Sequence, residues 1–306
     1  MTKHVAVLMG GWSAEREVSL SSGTACAKAL EEAGYRVTKV DVDRTIGSVL
    51  QELKPDVVFN ALHGPFGEDG KVQGLLEFLG IPYTHSGVLA SALAMDKSRA
   101  RTIFKAAGIP VAEGRLVDRL EAARRHVLPP PYVIKPNAEG SSFGVFIVPE
   151  GREHPPQELY SDEWKFGDEV LVERYVSGRE LTCAVMGDVA LGVIDIVPEQ
   201  GFYDFQAKYA AGGSRHILPA EISPFVYQEV QRVALKAHQA LGCRGVSRAD
   251  FRYDERAEGA SGLVCLEVNT QPGMTATSLV PEMAAHAGHS FPELVRWMVE
   301  DAGCNR

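Results

Sequence analysis

Cys265-Leu266-Glu267-Val268-Asn269-Thr270-Gln271-Pro272-Gly273-Met274-Thr275 reads as an apolar strand that delivers a carboxylate and a carboxamide with one residue between them. Residues two apart on a strand project to the same face. Glu267 and Asn269 therefore stand side by side as hard oxygen ligands of the kind Mg²⁺ takes. Val264, Leu266 and Val268 are expected to pack the other face, and Pro272-Gly273 ends the strand abruptly. A second strand, Gly245-Val246-Ser247-Arg248-Ala249-Asp250-Phe251, places Arg248 and Asp250 on one face, a cation beside another hard ligand. Adjacent strands bearing this set point to a metal–nucleotide phosphate site. The alternative is a solvated sheet face with a surface ion pair, and the apolar neighbours and the abrupt strand end weigh against it.

Outward from these strands, the pattern divides the chain. The first ninety or so residues alternate strand and helix: strand Val5–Met9, helix 14–33 stopped at Gly34, strand Arg36–Val42, helix Ile46–Leu53, strand Asp56–Leu62 and helix Val72–Leu79 stopped at Gly80. A βαβαβ run of this kind makes a parallel sheet, with ligands at the carboxyl ends of its strands. Those ends are Gly10-Gly11 and His63-Gly64. A helical stretch over 87–108 leads to a second unit of strand 111–117, helix 119–127 and strands 132–135 and 145–148. Pro129-Pro130-Pro131 separates helix from strand, and Glu150–Asp168 is polar enough to lie on the surface. Strand 169–175 opens a last unit with strands 180–185 and 189–196, helix 225–241, the two ligand strands and helix 291–301. The fold class is α/β, α+β in parts, in three domains: 1–94, 95–178 and 179–306. Residues 199–219 contain three glycines and little periodicity, the signature of a functional or mobile loop.

Length and composition exclude several classes. At 306 residues the chain exceeds one ordinary core. Its net charge of −9 and pI of about 5.5 argue against a general nucleic-acid binder. No run of about 18 apolar residues suggests a membrane span, and the N-terminus lacks the features of a signal peptide. Five scattered cysteines, none in a Cys-x-x-Cys pair, suit a reducing compartment and buried positions. A cytoplasmic protein is expected.

Other motifs add phosphate and ligand chemistry. Glu139-Gly140-Ser141-Ser142-Phe143-Gly144-Val145 follows Lys135-Pro136 between two strands. Its glycines let N–H groups approach phosphate closely and its hydroxyls add donors; a tight hairpin is the plainer reading. Neither a Walker loop nor a Gly-x-Gly-x-x-Gly is present. Glu15, in Gly10-Gly11-Trp12-Ser13-Ala14-Glu15, either complements a helix dipole or meets a substrate ammonium. His63, at a strand end, is structural or a ligand contact. His286 and His289, three apart, read as helix surface without a third metal ligand.

Taken together the motifs resemble those of the D-alanine–D-alanine ligases of the ATP-grasp superfamily, nearly end to end. The resemblance runs through Gly10-Gly11-x-Ser13-x-Glu15-Arg16-Glu17-Val18-Ser19-Leu20, Ala61-Leu62-His63-Gly64, Gly67-Glu68-Asp69-Gly70 and Met95-Asp96-Lys97. It continues through Lys135-Pro136, Glu139-Gly140-Ser141-Ser142-x-Gly144, Tyr203-Asp204-Phe205-x-Ala207-Lys208-Tyr209 and the Glu267–Thr275 block. It implies an ATP-grasp fold with an N-terminal Rossmann-like domain, a small central α+β domain and a larger C-terminal α+β domain. The implied activity joins two D-alanines with ATP through an acylphosphate, for peptidoglycan precursors.

The same resemblance implies site roles. Asp250, Glu267 and Asn269 would hold two Mg²⁺ (or Mn²⁺) ions. Lys97, Lys135 and Lys208 would hold phosphates with Ser142, while Glu173 and Glu180 would lie at the adenine and ribose. Arg248 and the Gly273 N–H would stabilise an oxyanion. Glu15 would take the first ammonium, with His63 also at the substrate, and Ser278 and Leu279 would receive the second carboxylate. Glu15, Ser141 and Tyr209 would form a hydrogen-bonded chain linking the N-terminal unit to closing loops. Lys208-Tyr209 favours the dipeptide branch over relatives that use D-lactate or D-serine, although His216 stands in the same loop. A homodimer is implied, with no nucleic-acid or membrane partner. The 199–219 loop is expected to order when ligands bind.

Overall fold

β1 (His4–Gly10) is buried on both sides, and its alternation shows why: Val5 and Val7 enter one core, Ala6 and Leu8 another. In this computed structural model, which describes residues 2–198, 213–275 and 277–305, β1 lies between β2 (Arg36–Val42) and β3 (Val57–Asn60). Both pair with it in parallel. The connections are α1 (Arg16–Glu32) and α2 (Ile46–Leu53), as the βαβαβ pattern predicts. α3 (Lys71–Leu79) ends at Gly80 with φ +65°, the left-handed stop expected of that glycine. Tyr83 bridges Val58 on one side and Gly303 on the other, so the end of the chain returns to this sheet.

The stretch read as one helix over 87–108 is two, α4 (Val88–Met95) and α5 (Lys97–Ala106). Asp96 breaks it: its side chain caps α5 by accepting from the Arg99 N–H, in an extended backbone conformation no helix interior permits. The central sheet runs β4 (Gly114–Asp118), β7 (Glu169–Arg174), β5 (Tyr132–Pro136), β6 (Phe146–Val148), all antiparallel. α6 (Arg119–Arg124) covers it, capped by Asp118. The segment 150–168 is not wholly at the surface: a 3₁₀ turn, Gln157–Tyr160, drives Leu159 fully into the central core, where Trp164 also packs.

The third sheet is antiparallel in the order β10 (Ser214–Ile217), β9 (Val189–Pro198), β8 (Arg179–Met186), β11 (Val246–Tyr253), β12 (Leu263–Asn269). One face packs α7 (Pro224–Leu241) with α4 and α5. The other shares a core with the N-terminal sheet through α8 (Leu279–His286) and α9 (Phe291–Asp301). β10 lies inside the stretch read as an irregular loop, and α8 supplies the helix on which His286 was read, with bounds the sequence did not give. Four of the five cysteines are buried and Cys304 is half-buried; all are thiols.

The ligand strands depart from simple alternation in one telling way. Asp250 faces Glu267 while Phe251 faces Cys265, so Leu266 is an extra residue, a β-bulge. Cys265 and Val268 consequently share the α7 core, while Val264 and Leu266 join a separate small cluster. The expected single apolar face of Val264, Leu266 and Val268 is thus corrected. The bulge lets Cys265 keep its place in the core while Glu267 and Asn269 stand on the side of Asp250 and Arg248.

Candidate active site

Two cavities meet at Gly140. The larger, about 890 Å³, lies between the central and C-terminal sheets and is lined by Lys97, Lys135, Ser142, Glu173, Glu180 and Glu267 among others. The second, about 630 Å³, lies between the loops of the N-terminal sheet and the 271–279 segment. It is lined by Glu15, His63, Ser141, Arg248, Gly273 and Ser278 among others.

Charge is matched in detail along the larger cavity. Lys135, at the end of β5, meets Glu173 of β7 at 2.5 Å. Arg101 of α5 takes the other oxygen of Glu173 and also donates to the Ala112 carbonyl at 2.7 Å. Burial pulls the Lys135 ammonium down to about 7, with Glu267 opposing and Lys97 adding to the shift. Lys97, the first residue of α5, donates to the Glu139 carbonyl at 2.6 Å and lies 3.4 Å from Glu267. Burial also raises the Glu139 carboxyl, and Lys97 opposes it. Glu180 of β8 faces Arg252 at 3.4 Å. Arg101, a cation the sequence did not single out, follows from position: it stands four residues after Lys97, on the same helix face.

At the seam between the cavities Asp250 accepts four hydrogen bonds. Two come from Arg248, at 2.8 and 2.7 Å, one from Thr182 at 2.7 Å and one from the Asn269 amide at 2.9 Å. Glu267 stands opposite Asp250 across the ladder. Among the described residues no cluster of three or more His, Cys, Asp or Glu is gathered for a metal. The set here is two carboxylates and an amide, all hard oxygen donors, flanked by Lys97 and Arg248, which fits a divalent cation held jointly with phosphate oxygens.

The second cavity is built mostly from hydrogen bonds with at least one neutral partner. Glu15, the residue before α1, is 5% exposed and accepts a hydrogen bond from the Ser141 hydroxyl. A Cβ on Gly140 would stand 2.8 Å from a Glu15 oxygen, so only glycine permits this approach. Ser141 and Ser142 hold φ of +51° and +61°, a left-handed conformation unusual for serine. His63 is buried, with Nδ1 at 3.1 Å from Glu68 and Nε2 at 3.0 Å from Ser22 Oγ. Burial disfavours its charge, but the Glu68 hydrogen bond and charge, with Glu15, raise its pKa overall. Ser278 immediately precedes α8, and its hydroxyl accepts from the Thr275 N–H at 2.9 Å, with Leu279 opening the helix. Gly273 faces it closely: a Cβ there would be 3.0 Å from Ser278 Oγ.

The described site residues of the sequence analysis therefore come together in two adjoining cavities. Lys208 and Tyr209 lie outside the described residues. His216, on β10, bonds Glu282 at 2.7 Å and does not line the second cavity. His286 and His289 are exposed, as read. Residues the sequence did not flag include Arg101, Thr182, Asn60, Ser22 and Gln271.

Two antiparallel sheets closing on a cation-lined cavity, with carboxylates where it meets a second one, define the ATP-grasp fold. The D-ala D-ala ligase C-terminus family matches residues 103–300, and the D-ala D-ala ligase N-terminus family matches residues 47–86. The D-alanine–D-alanine ligase of Rhizobium meliloti is 67% identical over 306 residues, spanning 100% of this chain and 99% of that one. That of Methylobacterium radiotolerans is 70% identical over 307, spanning 100% of both. Among solved structures, the Bacillus anthracis D-alanine–D-alanine ligase complexed with ATP superposes with a TM-score of 0.82 at 29% identity, covering 98% of this chain and 97% of that one. The VanG D-Ala:D-Ser ligase of Enterococcus faecalis gives 0.78 at 30% identity, covering 98% and 99%. The chain belongs to the D-alanine–D-alanine ligase family.

Proposed function

We propose that this protein joins two D-alanines to D-alanyl-D-alanine, converting ATP to ADP and phosphate, as a step toward peptidoglycan. The observation that carries the reading is the seam, where Arg248, Asp250, Glu267 and Asn269 lie between a cation-lined cavity and a substrate-sized one. A carboxylate attacking a triphosphate brings anion to polyanion, so neutralising charge is the first requirement. Lys97 and Lys135, with Ser142, are placed to receive phosphate oxygens, and Lys208 joins them by resemblance. Glu173 and Glu180 mark the adenine and ribose ends. Asp250, Glu267 and Asn269 would hold two Mg²⁺ or Mn²⁺ ions, which would supply neutralising charge to the phosphates.

The first D-alanine sits with its ammonium at Glu15, beside His63, and its carboxylate toward the phosphates. Its carboxylate oxygen takes the γ-phosphoryl group and ADP leaves. The amine of the second D-alanine, its carboxylate held by Ser278 and the Leu279 N–H, attacks the acyl carbon. Arg248 and the Gly273 N–H receive the negative charge that develops on the carbonyl oxygen. Phosphate departs with the acyl C–O electrons, and the amine loses a proton as the peptide bond forms. The Glu15–Ser141 bond supports the start of a chain that Tyr209 would complete, excluding water from the acylphosphate.

The unit boundaries 1–94, 95–178 and 179–306, a homodimer and a cytoplasmic location belong to the same reading. No helix among the described residues is long and apolar enough to cross a membrane. The likeness to a D-Ala:D-Ser ligase supports one second reading, with D-serine as acceptor. One experiment tests both: ADP release and product analysis with D-alanine alone, then with D-serine, D-lactate or L-alanine added. D-alanyl-D-alanine as the main product is expected. Mixed product in excess moves the protein to the second reading, and no ADP release with D-alanine overturns both.

A further inference from the structure

The loop that carries Gly273 leaves β12 of the C-terminal sheet, yet it is fastened to the N-terminal sheet. Gln271 is 2% exposed and uses both ends of its carboxamide. Its Oε1 accepts from Asn60 Nδ2 at 2.6 Å, and its Nε2 donates to the Leu62 carbonyl. Asn60, at the end of β3 and fully buried, is itself fixed in orientation. Its Nδ2 also donates to the Gly67 carbonyl at 3.0 Å, its Oδ1 accepts from the Leu62 N–H at 3.2 Å, and its own N–H donates to Thr84 at 3.0 Å. On the far side of Gly273 the Met274 N–H donates to Ser22 Oγ of α1 at 3.3 Å, and that hydroxyl also bonds His63 Nε2.

Gly273 is thus held between two attachments, both in the N-terminal part of the chain. Pro272 stiffens the link, because its ring fixes φ and restricts Gln271 before it to extended backbone. Packing alone does not call for such a pair. Two buried carboxamides contribute little net stability over apolar groups of the same shape, but their distinct ends accept only one alignment. We infer that Gln271, aligned by Asn60 and assisted by Ser22, is a positioning residue for the ligation step. It sets the Gly273 N–H, and the acceptor loop behind it, at a fixed distance from Glu15 and His63, where the first amino acid binds. The inference rests on the ligase reading of the site.

The test uses the intact protein with Gln271→Met, which keeps the volume and removes both bonds, and with Ser22→Ala, which removes the second attachment. Dipeptide formation and ADP release are measured together, with the KM for ATP and the Tm. For Gln271→Met, kcat for dipeptide is expected to fall roughly tenfold or more, because a misplaced group a fraction of an ångström from alignment costs rate steeply. The KM for ATP is expected to stay within about twofold, and more than one ADP should be released per dipeptide as unaligned acceptor loses to water. Ser22→Ala, which leaves the Gln271–Asn60 bond in place, should move the same ratio by less. A lowered Tm with wild-type kcat and wild-type ADP-to-dipeptide ratio makes the network merely structural and overturns the inference. Should Gln271→Met not fold, an unmoved ratio in Ser22→Ala overturns it equally. A wild-type protein that makes no dipeptide fails the ligase reading itself, a result distinct from active wild type with unmoved variants.

Discussion

The cavities proposed for nucleotide and for substrate share Gly140 and are held in different ways. The first is held by charge: Lys135 and Arg101 on Glu173, Lys97 on Glu267, Arg252 on Glu180. The second is held by oriented hydrogen bonds among serines, amides and backbone, with Glu15 and His63–Glu68 its main ionisable groups. On the proposed reading, a site that must accept a polyanion keeps its cations paired in advance, and the pairs would exchange partners when phosphate arrives. A site that must align an amine with an acyl carbon cannot exchange anything; its groups are fixed beforehand.

The most severe way to break this division is at the seam. Glu267→Gln removes a charge that serves both the Lys97 pair and the proposed cation set. Turnover should fall on the order of a thousandfold with little change in Tm, measured as ADP release at saturating Mg²⁺; near-normal turnover would remove Glu267 from the metal set. Arg248→Ala comes next. If Arg248 belongs functionally to the substrate cavity, kcat should fall about a hundredfold with an unchanged KM for ATP. A change confined to ATP affinity would move it to the nucleotide half.

Ser141→Ala deletes one hydrogen bond to a charged acceptor, worth about 1.5–3 kcal/mol. The KM for the first D-alanine should rise roughly tenfold, with ATP binding intact, as titration calorimetry with a non-hydrolysable nucleotide would check. The smallest expected signal belongs to the charged half. Burial draws Lys135 down to about 7 even beside Glu173, so part of it is uncharged at pH 8, and a triphosphate beside it favours the charged form. ATP binding at pH 8 should therefore take up a fraction of a proton, and none at pH 5, where the group is already charged. Calorimetry in two buffers of different ionisation heat reads this directly, and proton release at pH 8 would contradict the exchange of partners.

Much of the scaffold was legible in the sequence because periodicity and punctuation agreed. β2, α2 and α9 begin and end where the pattern placed them, and Gly80 acts as the stop. The failures have local causes. The start of α8 hides because Pro281 sits in its first turn, where proline is tolerated but reads as a break. β10 is four residues long, too short to alternate. The bulge at Leu266 is invisible to strict alternation, although it decides how Glu267 and Asn269 are presented. Site residues with a charge or a motif were found; those that act through neutral bonds across the chain, Asn60 with Gln271 and Ser22 with Met274, carry no local signal, since each looks like an ordinary polar residue until its distant partner is in view.

The backbone of Ser141 and Ser142 has a practical corollary. Both serines occupy a conformation that costs L side chains on the order of 1 kcal/mol or more each and glycine almost nothing. A screen that selects variants for heat resistance alone should find Ser141→Gly and Ser142→Gly early, because both relax the turn. Ser141→Gly would also discard the hydroxyl that holds Glu15, so a library ranked by melting temperature would enrich for well-folded proteins that no longer close on their first substrate.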